Sequence, residues 1–183
     1  MNRRGLRLVG LFAMIVAVLA VIYAVSQRLG SIEQLTVANP AAAVGQLFAS
    51  RLDDAGGRPQ PFSQWQGKTL VVNFWATWCP PCREEMPAFS RLQVRYAAKG
   101  VQFVGIALDS AESVEAFAER QAISYPLLIG GSQAVDLAQQ FGNTTLSLPY
   151  TVVISPAKEL SLVRLGPLSE AELERFLARA TSR

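Results

Sequence analysis

Eight residues, Thr69-Leu-Val-Val-Asn-Phe-Trp-Ala76, constrain the fold of this 183-residue chain more than any others. They are rich in β-branched and aromatic side chains and show no clean alternation of apolar and polar positions. Alternation marks a strand with one wet face; its absence marks a strand covered on both faces, which requires a layer on each side of a sheet. The run ends in Thr77-Trp78-Cys79-Pro80-Pro81-Cys82 and passes into a helical pattern reaching Lys99. Met86, Phe89, Leu92 and Tyr96 give that helix one apolar face, and Gly100 supplies its stop. Pro87 lies inside it and predicts a kink near the first turns.

The rest of residues 44–180 alternates in the same way. Val44 to Leu52 is read as a strand turned back by Asp53-Asp54-Ala55-Gly56-Gly57, which makes an N-terminal hairpin. Val101 to Leu108 is a second buried strand, followed by a helix from Ala111 to Gln121 and a short strand at Leu127 to Ile129. Gly130-Gly131 turns the chain into a helix from Gln133 to Phe141. Tyr150 to Ile154 and Leu160 to Leu165 are close enough for a hairpin. Ser169 and Glu172 form a capping box that opens a last helix, with Leu173, Phe176, Leu177 and Ala180 as its stripe. Strands alternating with helices, then a terminal hairpin and helix, predict an α/β sandwich with a mixed central sheet.

Ahead of this domain, Leu8 to Val25 reads LVGLFAMIVAVLAVIYAV without a charge. As a helix those residues would cover about 27 Å, close to the hydrocarbon thickness of about 30 Å. Arg3, Arg4 and Arg7 precede it and only Arg28 closely follows, which predicts an N-terminus kept in the cytoplasm and a domain on the far side of the membrane. The segment is an uncleaved anchor, residues 1–27, or a signal peptide with a weak cleavage candidate at Ala24-Val25-Ser26. Its apolar run exceeds the usual signal core of about 7–15 residues. Residues 28–43 read as a linker, and 44–183 as the domain. Without the first three arginines the chain is balanced, 14 basic against 14 acidic groups, so no nucleic-acid footprint is left.

There are two cysteines and no histidine. A Cys–His or Ser–His catalytic pair and a single-chain Cys/His zinc site are therefore excluded. Cys79 and Cys82 stand three apart at the mouth of a helix, where unpaired N–H groups and the dipole lower a thiol's pKa. The spacing across one turn lets the sulfurs meet in a reversible disulfide. Pro80 and Pro81 lack N–H groups, which matters little in a first turn, and they stiffen the loop. A metal site shared between two chains and a static structural bridge are the other readings; a bridge this short removes little chain entropy.

Phe74-Trp75-Ala76-Thr77-Trp78-Cys79-Pro80-Pro81-Cys82 resembles the active-site signature of thioredoxin-like proteins, and Arg83-Glu84-Glu85-Met86-Pro87 resembles the membrane-anchored TlpA/ResA-like branch. Gln66-Gly67-Lys68, Pro149 ahead of Tyr150, and Gly166-Pro167-Leu168 fit the same family, over about residues 44–180. The resemblance implies a thioredoxin-like three-layer sandwich with a helix–strand insertion at Ala111 to Ile129. It implies that Cys79 attacks a partner's disulfide, that Cys82 is buried and resolves the mixed disulfide, and that Pro149 is a cis-proline facing the pair. It also implies that Glu85 helps set the protons of the pair; the plainer reading of Glu85 is a solvated first-turn acid. Trp78 would cover one side of the site, whereas Trp65, Trp75 and Tyr125 would be core. No metal or bound cofactor is implied beyond the Cys79–Cys82 disulfide.

Asn73 stands where thioredoxin has a buried Asp, so it cannot relay a proton. The loop from Gly142 to Pro149 is longer than the family's usual spacing, and Tyr150 replaces the common Thr after the cis-proline. Asn143-Thr144-Thr145 matches a glycosylation sequon by chance, and Glu112, Glu115 and Glu119 make a solvated helix face. With two prolines between the cysteines and Arg83 as the one nearby cation, the site is expected to resemble thioredoxin (about −270 mV) more than the oxidant DsbA (about −120 mV). The family implies a protein-disulfide reductase of the cell inner membrane with its domain in the periplasm, recharged by a membrane electron donor. Its client proteins would be apocytochromes c or copper-site proteins. An oxidase or isomerase of the same fold and a non-catalytic binding or holdase module are the rival readings. A thiol peroxidase fits poorly, because nothing resembles a peroxide-binding Pro/Thr/Arg cluster around a lone attacking cysteine.

Overall fold

The computed structural model describes residues 37–182 and, before them, only Val18, which is helical. The expected transmembrane segment at residues 8–25 otherwise lies outside the described residues, as do residues 28–36 of the expected linker. Among the described residues no helix is long and apolar enough to cross a membrane.

The described chain opens with α1 (Pro40–Ala49), where a strand was expected from Val44. The Asn39 side chain caps it by accepting from the Ala42 N–H, and Pro40 sits in the first turn, where a missing donor is harmless. Ala43, Val44, Leu47 and Phe48 are buried, one face of a 3.6-residue period and not a strand's alternation. Residues 40–43, expected in the linker, are thus the first turn of this helix. The expected hairpin exists but begins later, as β1 (Arg51–Asp54) paired antiparallel with β2 (Pro59–Pro61). The Asp54 carboxylate closes its turn by accepting from the Gly56 and Arg58 N–H groups, each at 3.0 Å.

After a short 3-10 turn (Phe62–Trp65) come β3 (Thr69–Trp75), α2 (Pro80–Tyr96), β4 (Val101–Ala107) and α3 (Ala111–Arg120). Then follow β5 (Leu127–Ile129), α4 (Gly131–Gln140), β6 (Tyr150–Ile154), β7 (Leu160–Leu165) and α5 (Glu170–Ala180). α2 runs through Pro87 as one helix. All seven strands join one mixed sheet in the order β2-β1-β5-β4-β3-β6-β7. β3 pairs parallel with β4 and antiparallel with β6, and every residue of β3 is buried, as its lack of apolar–polar alternation requires.

Alternate residues of β3 divide the core between the two faces. Leu70, Val72 and Phe74 meet α1 and α4; Val71 and Trp75 meet α2, α3 and α5. This is the expected three-layer thioredoxin-like sandwich. Each fully buried Leu, Val or Phe contributes about 1.5–3 kcal/mol to it. The last helix carries the expected capping box, Ser169 and Glu172 each satisfying the other's backbone N–H. Its buried stripe reduces to Leu173 and Leu177, since Phe176 is half-buried and Ala180 exposed. Trp65, Trp75 and Tyr125 are core, and Glu112, Glu115 and Glu119 are exposed, all as expected.

Candidate active site

β3 delivers the chain to the mouth of α2, and Cys79 is the residue that caps that helix. Its backbone is extended (φ −93°, ψ 102°), and its Sγ accepts from the Cys82 N–H at 3.3 Å. Cys79 and Cys82 are joined by a disulfide with their Cα atoms 5.3 Å apart. Cys79 keeps 4% of its surface exposed and Cys82 none, so Cys79 is the half of the bond that meets solvent. Pro80 and Pro81 fill the first helical positions without removing a needed donor. Trp78, expected as a cover on one side, stands 67% exposed beside Cys79 as an apolar surface at the mouth of the site.

The turn into Cys79 is fastened at several points. The Cys79 N–H donates to the Ala76 carbonyl at 3.2 Å, and the Leu108 N–H donates to the Trp75 carbonyl at 2.9 Å. Asp109, just beyond β4, accepts from the Thr77 N–H at 3.0 Å and from the Thr77 hydroxyl.

Pro149 follows a cis peptide bond from Leu148, as the resemblance implied. It is buried, its carbonyl accepts from the Gly166 N–H at 2.9 Å, and Tyr150 beside it pairs with Phe74 near the end of β3. Leu148 packs against the core cluster that holds both cysteines. The longer loop before it is organised by Asn143, which is wholly buried. Its amide donates to the Ser147 carbonyl at 2.9 Å, and its carbonyl accepts from the Ser147 N–H at 3.0 Å. An Asn held in this way offers no amide for glycosylation.

Glu85 lies one turn below Cys82 on the buried side of α2 and is only 6% exposed. One carboxylate oxygen accepts from the Asn73 amide and the other from the Leu168 N–H, both at 2.9 Å. Burial pushes its pKa up to about 7, against the downward pull of the Leu168 and Asn73 donors. The solvated first-turn acid is thus not what the chain builds. Asn73 also donates to the Thr151 hydroxyl at 3.0 Å, and its own carbonyl oxygen has no partner. Burial, and then the Glu85 charge, push the Tyr125 phenol up. Among the described residues, no group of three or more His, Cys, Asp or Glu side chains is placed to hold a metal ion.

Thr151, the Leu168 N–H and Asp109 were not anticipated from the sequence. One signal for Asp109 was available: ligand and catalytic groups gather past the carboxyl ends of parallel strands. The register Trp75↔Ala107 puts the residues that follow β3 beside those that follow β4.

A mixed sheet between two helical layers, with a Cys-Pro-Pro-Cys disulfide on a helix N-cap, defines a thioredoxin-like protein. Residues 44–163 match the sequence profile of the AhpC/TSA family. Thiol-disulfide oxidoreductase ResA of Geobacillus kaustophilus (strain HTA426) is 33% identical over 127 residues, 69% of this chain and 71% of that one. Thioredoxin-like protein YneN of Bacillus subtilis (strain 168) is 32% identical over 130 residues, 69% of this chain and 73% of that one. The crystal structure of a thiol:disulfide interchange protein of the thioredoxin family from Chlorobium tepidum TLS matches with a TM-score of 0.65 at 32% identity, covering 72% of this chain and 92% of that one. The chain belongs to the AhpC/TSA family of thioredoxin-like proteins and is a thiol–disulfide oxidoreductase of the ResA kind.

Proposed function

We propose that this chain is a membrane-tethered protein-disulfide reductase working on the outer, periplasmic side of the inner membrane, with Cys79 as the attacking thiol and Cys82 as the resolving thiol. The observation that carries the roles is the asymmetry of the pair. Only Cys79 has exposed surface, and its sulfur rests on a first-turn N–H of α2 that would stabilise a thiolate. In the reduced enzyme the Cys79 thiolate attacks one sulfur of a client disulfide. The client's S–S bond breaks, a mixed disulfide forms, and the leaving thiolate takes a proton. The Cys82 thiol then gives up its proton and attacks the Cys79 sulfur. The client's second thiolate leaves and is protonated, and the Cys79–Cys82 disulfide remains. Two electrons and two protons have passed to the client.

Glu85, held one turn from Cys82 with a pKa near the working pH, is suited to take the Cys82 proton. Leu148 packs against the cluster that holds both cysteines, and Trp78 is an exposed apolar surface next to Cys79; a client segment would lie against these groups and the cis-Pro149 loop. The reducing direction is supported by the two prolines of the loop and the lack of a histidine that would stabilise the thiolate further. Tethering rests on the uncharged Leu8 to Val25 run. Apocytochromes c or copper-site proteins as clients, and a membrane protein as electron donor, are what the family resemblance implies.

The test is the equilibrium reduction potential of the full chain in mild detergent, followed by tryptophan fluorescence against a dithiol buffer. A value at or below about −220 mV is expected. A value near about −120 mV would assign an oxidase, and the absence of a reversible transition would remove thiol–disulfide exchange from the reading. In parallel, Cys82→Ser should accumulate mixed disulfides through Cys79, whereas Cys79→Ser should not.

A further inference from the structure

Both carboxylate oxygens of Asp109 are hydrogen-bonded, one to the turn that carries the disulfide and one to the backbone that opens α3. Oδ2 accepts from the Thr77 N–H at 3.0 Å and from the Thr77 hydroxyl, while Oδ1 accepts from the Ser110 N–H at 2.8 Å. These contacts are not a by-product of helix capping. Ser110 is the N-cap of α3, and its own hydroxyl accepts from the Ser113 N–H at 3.2 Å. Although burial acts to raise its pKa, the donors from Thr77 and Ser110 hold the carboxyl below the usual range. Asp109 is therefore an anion, and its bonds to Thr77 are charge-assisted.

The covalent state of the pair decides how much this contact matters. In the oxidised protein the S–S bond ties Cys79 to α2. When that bond opens, Cys79 is still followed by α2 and packed in the core with Ala76, and hydrogen bonds set the conformation of the exposed part of the turn between them. Trp78 gives little anchorage, being mostly in solvent, and the Ala76 carbonyl holds the turn by one bond at 3.2 Å. The Leu108 N–H holds the Trp75 carbonyl at 2.9 Å where β3 ends, and beyond it Thr77 on Asp109 is the side-chain fastening of the turn.

We infer that Asp109 is a positioning residue for thiol–disulfide exchange, latching Thr77 so that the reduced Cys79 sulfur stays on the Cys82 N–H in the first turn of α2. The latch acts in the reduced protein, because in the oxidised protein the disulfide already fixes the same geometry. The inference rests on the reading of Cys79 as the attacking thiol.

The test uses the full chain with Cys82→Ser, which leaves one thiol, and measures iodoacetamide alkylation of Cys79 against pH. Asp109→Ala should slow alkylation at pH 7 by about tenfold and move the profile upward, the scale of a lost charge-assisted bond. Asp109→Asn keeps a carbonyl oxygen for Thr77 and should stay within about twofold of the parent. Thr77→Val keeps the N–H bond, loses the hydroxyl bond, and should fall between them. The sign separates two causes: removing a nearby negative charge would by itself favour the thiolate and speed the reaction. Arg83, Glu84 and Glu85 are the charged groups that follow Cys79 within the first turns of α2, and every variant leaves them unchanged.

An Asp109→Ala profile that matches or outruns the parent overturns the inference, and so does Asp109→Asn as slow as Asp109→Ala. Should Asp109→Ala fail to fold, the near-isosteric Thr77→Val decides: slowing of about threefold supports the latch, and a parent-like profile overturns it. A parent profile centred at the ordinary thiol value of about 8.5 would instead overturn the role given to Cys79.

Discussion

Replacing Glu85 by Gln should make this protein more stable above neutral pH and remove most of its pH dependence between pH 5 and 8. The folded pKa of about 7 lies above the ordinary value of 4.5, so the folded chain holds a proton that the unfolded chain has released. The associated stability is fully present below pH 4.5 and is lost as pH rises through 7. At about 1.4 kcal/mol for each pH unit, the loss sums to about 3 kcal/mol, a large part of an ordinary domain's stability. Glutamine stays neutral throughout. Its carbonyl can keep the Leu168 N–H, and a half-turn of the Asn73 amide would let the partnerless Asn73 oxygen accept the new N–H.

The chain has no histidine, which leaves the window between pH 5 and 8 unusually clear. Asp54, Asp109, Glu170 and Glu172 have lowered values, so the stability they add is present above their ordinary range and lost only as pH falls below it. The assay is urea unfolding of the oxidised protein at pH 5, 6, 7 and 8. The parent's unfolding free energy should fall by about 2.5 kcal/mol across the series, and that of Glu85→Gln should stay level. A parent that is level or gains stability over this range would refute the reasoning, as would a variant with the parent's slope.

Two further outcomes concern packing and capping. Gly130→Ala would put a Cβ 2.1 Å from the Ala134 Cβ and 2.8 Å from the Ile106 Cγ2, so thermal unfolding should show a loss of about 3 kcal/mol or more. Ser169→Ala removes the hydroxyl that accepts from the Glu172 N–H and donates to its carboxylate. It should cost about 1 kcal/mol in a urea titration, with the slope between pH 5 and 8 unchanged.

What could be read from the sequence was whatever short-range chemistry decides. β3 was legible because a β-branched and aromatic run without alternation has one use in a sheet, and the last helix because Ser169 and Glu172 are three residues apart. α1 was missed although Asn39 and Pro40 announce a helix start, because Val44 to Leu52 is dense enough in apolar residues to suit either period. Glu85 stood between two roles for a different reason. The groups that decide its environment are Asn73, twelve residues away, and the Leu168 N–H, 83 residues away, and no local pattern encodes either. The Asp109 contact, spanning 32 residues, emerges only once β3 and β4 are in register.

The two rims of the sheet differ in what they offer a neighbouring chain. Along β2 and its flanks the residues that bond toward β1 are Arg58, Gln60 and Phe62, facing Asp54, Leu52 and Ser50, so the positions turned outward are Pro59 and Pro61. Neither has an N–H, and that rim can accept but not donate. β7 forms the other rim and has no proline. Copies of the domain therefore have no ladder by which β2 of one could extend β7 of the next, and head-to-tail growth into a fibre is denied its regular hydrogen bonding. Among the described strands, a full ladder between copies is open only to β7 on β7, which would use up the open rim of both and end at two.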